Sequence, residues 1–207
     1  MTDGYRLTYF RGRGLCEAAR LCLHYKEQKF EDLRLTNEQF DQVRGSTLNG
    51  QLPQLEVDGH KIGQSGAILR FLAKRLKLDG KDEFEAARAD EIWSFFYDAI
   101  KQQVPYSLVI LGMSNEDKDK LHEEVFLPVA KRSLEFYKPL INNSKKGYLL
   151  ESGISYADFV VAEHLNTIFQ LDSGLKTKYP DLHIYMESIH SLPQIQSYVK
   201  SRPESKV

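Results

Sequence analysis

Tyr5-Arg6-Leu7-Thr8-Tyr9-Phe10 runs directly into Arg11-Gly12-Arg13-Gly14. Apolar and polar side chains alternate along the first stretch, which is the period of a strand, and the glycines then break it. A strand read this way ends by delivering Tyr9 and Phe10 beside a glycine-rich turn that opens a helix. A phenol at such a junction can donate a hydrogen bond to a ligand held at the helix start. Beyond the turn, Leu15, Ala18, Ala19, Cys22 and Tyr25 recur at helical spacing. Phe30 to Leu35 alternates again. The chain therefore opens β-α-β, which favours a parallel strand pair with a right-handed crossover.

Residues 36–50 are polar with weak helical character. Leu55-Glu56-Val57 and His60-Lys61-Ile62 then flank Asp58-Gly59, a pair that tolerates positive φ at both turn positions and so predicts a hairpin. Ser65 is suited to cap a helix whose core face is Ile68, Phe71, Leu72 and Leu76. Residues 1–78 thus read β-α-β-(α)-β-β-α, an order that resembles a thioredoxin-like layer sandwich. Residues 79–82 read as a polar linker. From 83 to 207 only helical periodicity persists. One helix spans about Phe84 to Leu111, with Pro105 as a kink. Another starts at Ser114-Asn115-Glu116-Asp117 and bends at Pro128. Ser155 to Asp158 forms a capping box ahead of Phe159, Val160, Leu165, Ile168 and Phe169. Two shorter helices near Leu182–His190 and Pro193–Arg202 complete an all-α region.

The totals exclude several classes. The 207 residues carry a formal net charge of −1 with no long basic block, which argues against non-specific nucleic-acid binding. No apolar run is long enough for a membrane span. The N-terminus lacks the layout of a signal peptide. Cys16 and Cys22 face different ways on one predicted helix and would not pair, and no cysteine–histidine cluster has metal spacing. These features read as a reduced, cytosolic chain with no metal. Arg11-Gly12-Arg13-Gly14 lacks the G-x-G-x-x-G pattern and the lysine of a phosphate loop.

Taken together, Tyr5 to Arg20, Leu52-Pro53, Gln64-Ser65 and the Ser155–Asp158 box resemble a cytosolic glutathione S-transferase. Tyr9-Phe10 and Phe30-Glu31-Asp32 are most similar to the sigma class and the sigma-like (nu) enzymes of nematodes. The resemblance covers essentially the whole chain. It implies an N-terminal thioredoxin-like domain followed by an all-helical C-terminal domain. It also implies glutathione as co-substrate, no cofactor, and a homodimer.

Glutathione presents two carboxylates, an ammonium and a thiol. A free thiol with pKa near 8.5 is only about 3% thiolate at pH 7. Lowering that pKa by about two units takes about 2.7 kcal/mol, within reach of a well-aimed hydroxyl donor helped by a cation or helix terminus. The resemblance gives Tyr9 this catalytic role. It makes Pro53 a cis proline that turns the backbone of Leu52 toward the cysteinyl amide. It assigns Gln64 and Ser65 to the γ-glutamyl carboxylate and Arg44 to the glycyl carboxylate. Asp98 would reach the γ-glutamyl ammonium held by the partner subunit. Phe40 stands where relatives carry a tryptophan and so loses a hydrogen bond to glutathione, and Gln51 stands where they carry a lysine and loses a charge. Leu15 replaces an arginine that assists the thiolate in many sigma enzymes, and Arg13 is positioned to help from the turn. The electrophile's apolar walls would be Phe10, Gly12, Gly14 and Leu15 on one side and Tyr97, Ile100, Val104 and Tyr106 on the other, with Val207 closing. Hydrophobic electrophiles, and haematin as a side ligand, follow from the same resemblance. So do two rivals: a glutathione-dependent prostaglandin D isomerase and a non-catalytic carrier of apolar ligands.

Overall fold

The structure, a computed structural model, describes residues 4–206. Four strands form one sheet in the order β2-β1-β3-β4. β1 (Tyr5–Phe10) and β2 (Phe30–Leu35) are parallel and joined through α1 (Glu17–Tyr25). β3 (Gln54–Val57) runs antiparallel to β1, and β4 (His60–Gly63) antiparallel to β3. Leu7, at the centre of β1, is fully buried and Thr8 nearly so, because a central strand is covered on both faces. Val57 pairs with His60 across Asp58 (φ 51°) and Gly59 (φ 77°). Both turn positions are left-handed, the geometry that Asp-Gly accommodates with little cost.

Between β2 and β3 the polar loop holds α2 (Asn37–Val43). Thr36 starts it with a capping box, its hydroxyl accepting from the Gln39 N–H at 3.2 Å while the Gln39 side chain accepts from the Thr36 N–H at 2.9 Å. α3 (Ser65–Leu76) buries Ile68, Leu69, Leu72 and Ala73. α1 buries more than the single face its spacing implies: Leu21 and Leu23 are as enclosed as Cys22.

Beyond this region the named elements are all helical. α4 (Glu83–Ile110) runs through Pro105 without ending. Asp82 caps its start, accepting from the Phe84 and Glu85 N–H groups. α5 (Lys118–Leu121) is capped by Asp117 rather than Ser114. A π turn over His122–Phe126 leads into α6 (Leu127–Asn142), with Pro128 in its first turn. α7 (Tyr156–Leu171) is buried nearly all round, the signature of a central core helix. α8 (Ser173–Lys178), which the sequence pattern does not reveal, precedes α9 (Pro180–His190) and α10 (Gln196–Ser201). The Ser155 box forms as expected: the Asp158 carboxylate accepts from the Ser155 N–H at 2.7 Å and its hydroxyl at 3.0 Å.

Two compact units result. One runs to Asp79 and also takes in Ser191–Ser205; the other is Gly80–His190. The sequence assigns the whole of 83–207 to one helical region, and the structure instead returns the tail to the first unit. The reason is side-chain pairing. The Tyr198 ring stacks on His24 with centroids 3.9 Å apart, and its hydroxyl bonds to residues of α1 and β2. Among the described residues, no helix is long and apolar enough to cross a membrane.

Candidate active site

β1 ends at the glycine-rich turn, and that turn is built around the Tyr9 phenol. Gly14 has φ +41° and is followed by a short 3-10 turn, Gly14–Cys16, leading into α1. A side chain at 14 would put its Cβ 2.7 Å from the Tyr9 oxygen, so only glycine lets the turn close this tightly. The Leu15 N–H donates to that oxygen at 3.3 Å. The phenolic hydrogen is thereby left to donate elsewhere. Burial pushes the Tyr9 pKa above a tyrosine's ordinary value, against the opposing pull of the Leu15 N–H and the Arg20 charge. Tyr9 is thus a protonated donor at neutral pH, with its acceptor side taken by a backbone amide.

The sequence pattern puts Leu15 and Gly14 on an apolar wall; both serve the phenol directly. Arg13, expected as a helper cation, is instead 3% exposed, and its guanidinium donates to the Ser205 carbonyl at 3.3 Å. The cation beside the phenol is Arg20, to which the sequence pattern gives no role. Its guanidinium carbon lies 5.8 Å from the Tyr9 ring centroid. Arg20 is fully buried, donating to Glu17 at 2.9 Å, Asp32 at 3.0 Å, and the carbonyls of Gly12 at 3.1 Å and Phe10 at 3.3 Å. A buried arginine needs such partners. The only sequence signal is the Glu17/Arg20 spacing on an otherwise apolar helix.

The Leu52–Pro53 peptide is cis. Gln51 is exposed, and its side-chain oxygen accepts from the Gln64 amide at 2.8 Å. Gln64 holds φ 66° and ψ 118°, an unusual conformation for a side-chain-bearing residue. It is Gln64, not Ser65, that stands at the N-cap of α3, and no side chain caps that start. Ser65 is the first helical residue, and the helix presents uncapped N–H groups there, the usual setting for a carboxylate. Near α2, Phe40 packs edge-on against Phe10 with centroids 5.2 Å apart, and the Arg44 guanidinium lies 4.3 Å over the Phe40 ring. Arg44 is exposed and already paired with Asp41 at 2.6 Å. Tyr9, Phe10, Phe40 and Arg44 therefore form one continuous line of contacts, since Tyr9 meets Phe10 at 5.4 Å.

Cys16 is buried, and burial pushes its thiol up to about 12, so it is not a nucleophile at neutral pH.

In the helical unit, Asp98 is exposed on α4, and its carbonyl accepts from the Gln102 side chain. Tyr97 and Ile100 are partly exposed and Val104 is 43% exposed. Tyr106 departs from its expected place on the wall. It is 2% exposed, its ring 5.0 Å from Phe126 and 5.6 Å from His122. Two residues along a helix rotate the side chain by more than half a turn, so Val104 points out while Tyr106 points into the core. Val207 lies outside the described residues.

Comparisons with known proteins give the family. The profile of the glutathione S-transferase N-terminal domain matches residues 5–74, and that of the C-terminal domain matches 103–202. A probable glutathione S-transferase 7 from Caenorhabditis elegans is 35% identical over 199 residues, covering 96% of this chain and 97% of that protein. Monomeric Na-GST-3 from the hookworm Necator americanus superposes with a TM-score of 0.92 at 35% identity, over 99% of this chain and 100% of that one. A Nu-class enzyme from Haemonchus contortus gives 0.87 at 35% identity, over 99% of each chain. Prostaglandin synthase D of Nilaparvata lugens gives 0.84 at 30% identity, over 97% of this chain and 100% of that one. Matched across both halves and nearly end to end, the chain belongs to the glutathione S-transferase family, on its sigma-like nematode branch.

Proposed function

We propose that the chain is a cytosolic glutathione transferase in which Tyr9 stabilises the glutathione thiolate for attack on hydrophobic electrophiles. One observation carries this reading. The Tyr9 hydroxyl accepts the Leu15 N–H and keeps its own hydrogen free for the sulfur of glutathione. A hydroxyl that already accepts a bond is the better donor, because hydrogen bonds in series polarise one another. Glutathione would lie with its sulfur at Tyr9. Its cysteinyl backbone would pair with Leu52, beside Pro53, as an added strand. Its γ-glutamyl carboxylate would meet the start of α3 at Gln64 and Ser65, with Gln51 alongside, and its glycyl carboxylate would meet Arg44. The thiolate would attack an electrophilic carbon, forming the C–S bond as the leaving group departs with its electron pair. On the first unit, Phe10 and Leu15 would offer apolar side chains to the electrophile.

Conjugation of glutathione to an aryl chloride by the intact chain tests this: turnover above the uncatalysed rate supports it, and none removes it. The family likeness supports a homodimer in which the exposed Asp98 carboxylate would meet the partner's glutathione. Analytical ultracentrifugation showing a monomer would end that assignment. Haematin at micromolar concentration is expected to inhibit conjugation, and absence of both binding and inhibition would remove it as a ligand. A second reading, a glutathione-dependent prostaglandin D isomerase, is favoured by the likeness to the Nilaparvata lugens enzyme. Incubation with a prostaglandin endoperoxide, and product analysis with and without glutathione, separates the two.

A further inference from the structure

The tail that returns to the first unit ends on the loop that follows Tyr9. We infer that Tyr198 and Arg202, at α10, are positioning residues for the Tyr9 site, acting through Glu17, Arg20 and Arg34 on the backbone of residues 10–12. This rests on the proposed role of Tyr9.

The connections can be followed bond by bond. Three consecutive loop carbonyls are each gripped by a guanidinium: Phe10 by Arg20 at 3.3 Å, Arg11 by Arg34 at 3.2 Å, and Gly12 by Arg20 at 3.1 Å. The two arginines share Asp32, one on each carboxylate oxygen, at 3.0 and 2.7 Å. The tail reaches Arg34 directly and Arg20 through Glu17. The Tyr198 hydroxyl accepts from Arg34 at 2.9 Å and donates to Glu17 at 2.7 Å. Glu17 in turn accepts from Arg20 at 2.9 Å through its second oxygen. Arg202 donates to the same Glu17 oxygen as Tyr198, at 2.9 Å. At the next loop residue, the Arg13 N–H donates to the Ser205 hydroxyl at 3.3 Å.

Glu17 and Arg20 side chains are both fully buried, and Arg202 is 8% exposed. A buried carboxylate that loses partners becomes costly and seeks new ones. Without Tyr198 and Arg202, one Glu17 oxygen loses both bonds. The carboxylate then competes for Arg20 N–H groups now spent on Phe10 and Gly12. Relaxation of those carbonyls moves Gly14 and Leu15, and with them the N–H that holds the Tyr9 oxygen. Tyr198 and Arg202 act through the loop, setting how well it presents the phenol, and small displacements of a reacting group are costly.

The test uses the full chain carrying Tyr198→Phe with Arg202→Ala, beside Tyr198→Phe alone, Arg202→Lys and an exposed control, Lys200→Ala. Tyr198→Phe retains the ring that stacks on His24, so it stays folded if the double variant does not. Amide hydrogen exchange of residues 10–16 in the free protein is the primary readout. Faster exchange there, with β3 and β4 unchanged, is expected in the double variant and, to a lesser degree, in Tyr198→Phe. Unchanged exchange in both overturns the inference, whether or not the chain conjugates glutathione. With an aryl chloride, kcat is expected to fall about tenfold in the double variant, with KM for glutathione held within about twofold. The pH profile of kcat/KM is expected to move up by about half a unit. Arg202→Lys is expected to recover part of both effects and Lys200→Ala to match the parent. A folded Tyr198→Phe variant with the parent's kcat and pH profile would also overturn it. Loss of activity in the parent itself would instead remove the transferase reading, leaving the exchange result to decide this one.

Discussion

The Leu15 N–H points at the Tyr9 oxygen, nitrogen to oxygen 3.3 Å, across a turn that Gly14 alone can make. The pair couples the end of a strand to the start of a helix, and it sets the direction in which the phenol donates. Tyr9→Phe removes that donor and leaves the ring. A hydrogen bond to a charged group is worth about 1.5–3 kcal/mol, so kcat/KM for aryl chloride conjugation is expected to fall between about 10- and 150-fold. The apparent pKa of the bound thiol should rise by about one to two units. A pH–rate profile of the variant that superposes on the parent's would take Tyr9 out of the mechanism.

Gly14→Ala leaves every polar group in place but puts a methyl 2.7 Å from the Tyr9 oxygen at φ +41°. The ring must move. Activity is expected to drop at least about tenfold, and stability to fall by about 1–2 kcal/mol from the left-handed backbone. Urea melts and kinetics on one preparation measure both.

Arg44 is held by Asp41 at 2.6 Å, and both side chains are more than half exposed. Such a pair is worth about 0–1 kcal/mol. Asp41→Asn frees the guanidinium for the glycyl carboxylate, so KM for glutathione should fall, by up to about fivefold, with kcat unaltered. An unchanged or higher KM would mean that Arg44 does not meet that carboxylate.

Asp158 accepts from the Ser155 N–H, the Ser155 hydroxyl, the Leu149 N–H at 2.8 Å and the Tyr185 hydroxyl at 2.7 Å. Asp158→Ala strands all four donors, which at about 1 kcal/mol or more each predicts about 4 kcal/mol of lost stability. Thermal unfolding by circular dichroism reads it directly. Whatever fraction remains folded should keep the parent's KM for glutathione.

His164 accepts from or donates to the Tyr137 hydroxyl at 2.8 Å, and burial depresses its pKa to about 3. The folded value lies below the unfolded one, about 6.5. The unfolded chain therefore binds the extra proton, and stability falls as pH drops below about 6.5. From pH 7 to 5 this group alone should cost about 2 kcal/mol. The paired change Tyr137→Phe with His164→Phe should flatten the pH dependence by that amount in urea unfolding at fixed protein concentration. An identical slope in both proteins would exclude His164 as its source.

Local signals carry the first half of the fold well. β1, β2 and the Asp58-Gly59 hairpin each lie where alternation and turn chemistry put them, because those signals act within a few residues. The Ser155–Asp158 box is equally local. What escapes depends on distant neighbours. The role of Arg20 is defined by two carbonyls whose direction no side-chain pattern encodes. Helical spacing identifies an aromatic stripe near Pro105 but not its inward side, so Tyr106 falls in the core while Val104 keeps its expected exposure. Gln64 takes a left-handed φ with nothing in its residue type to announce it. The tail's affiliation rests on Tyr198 and Arg202 finding Glu17, more than 180 residues away.

The arginine grip on Phe10, Arg11 and Gly12 falls entirely on main-chain oxygens. Any residue has such an oxygen. The shape of the loop is therefore specified from outside, by α1, β2 and the tail, through the backbone rather than through the exposed side chain at 11. Substitutions at 11 can accumulate without disturbing the setting of the phenol, whereas a change at Arg20 or Arg34, outside the loop, would reach it.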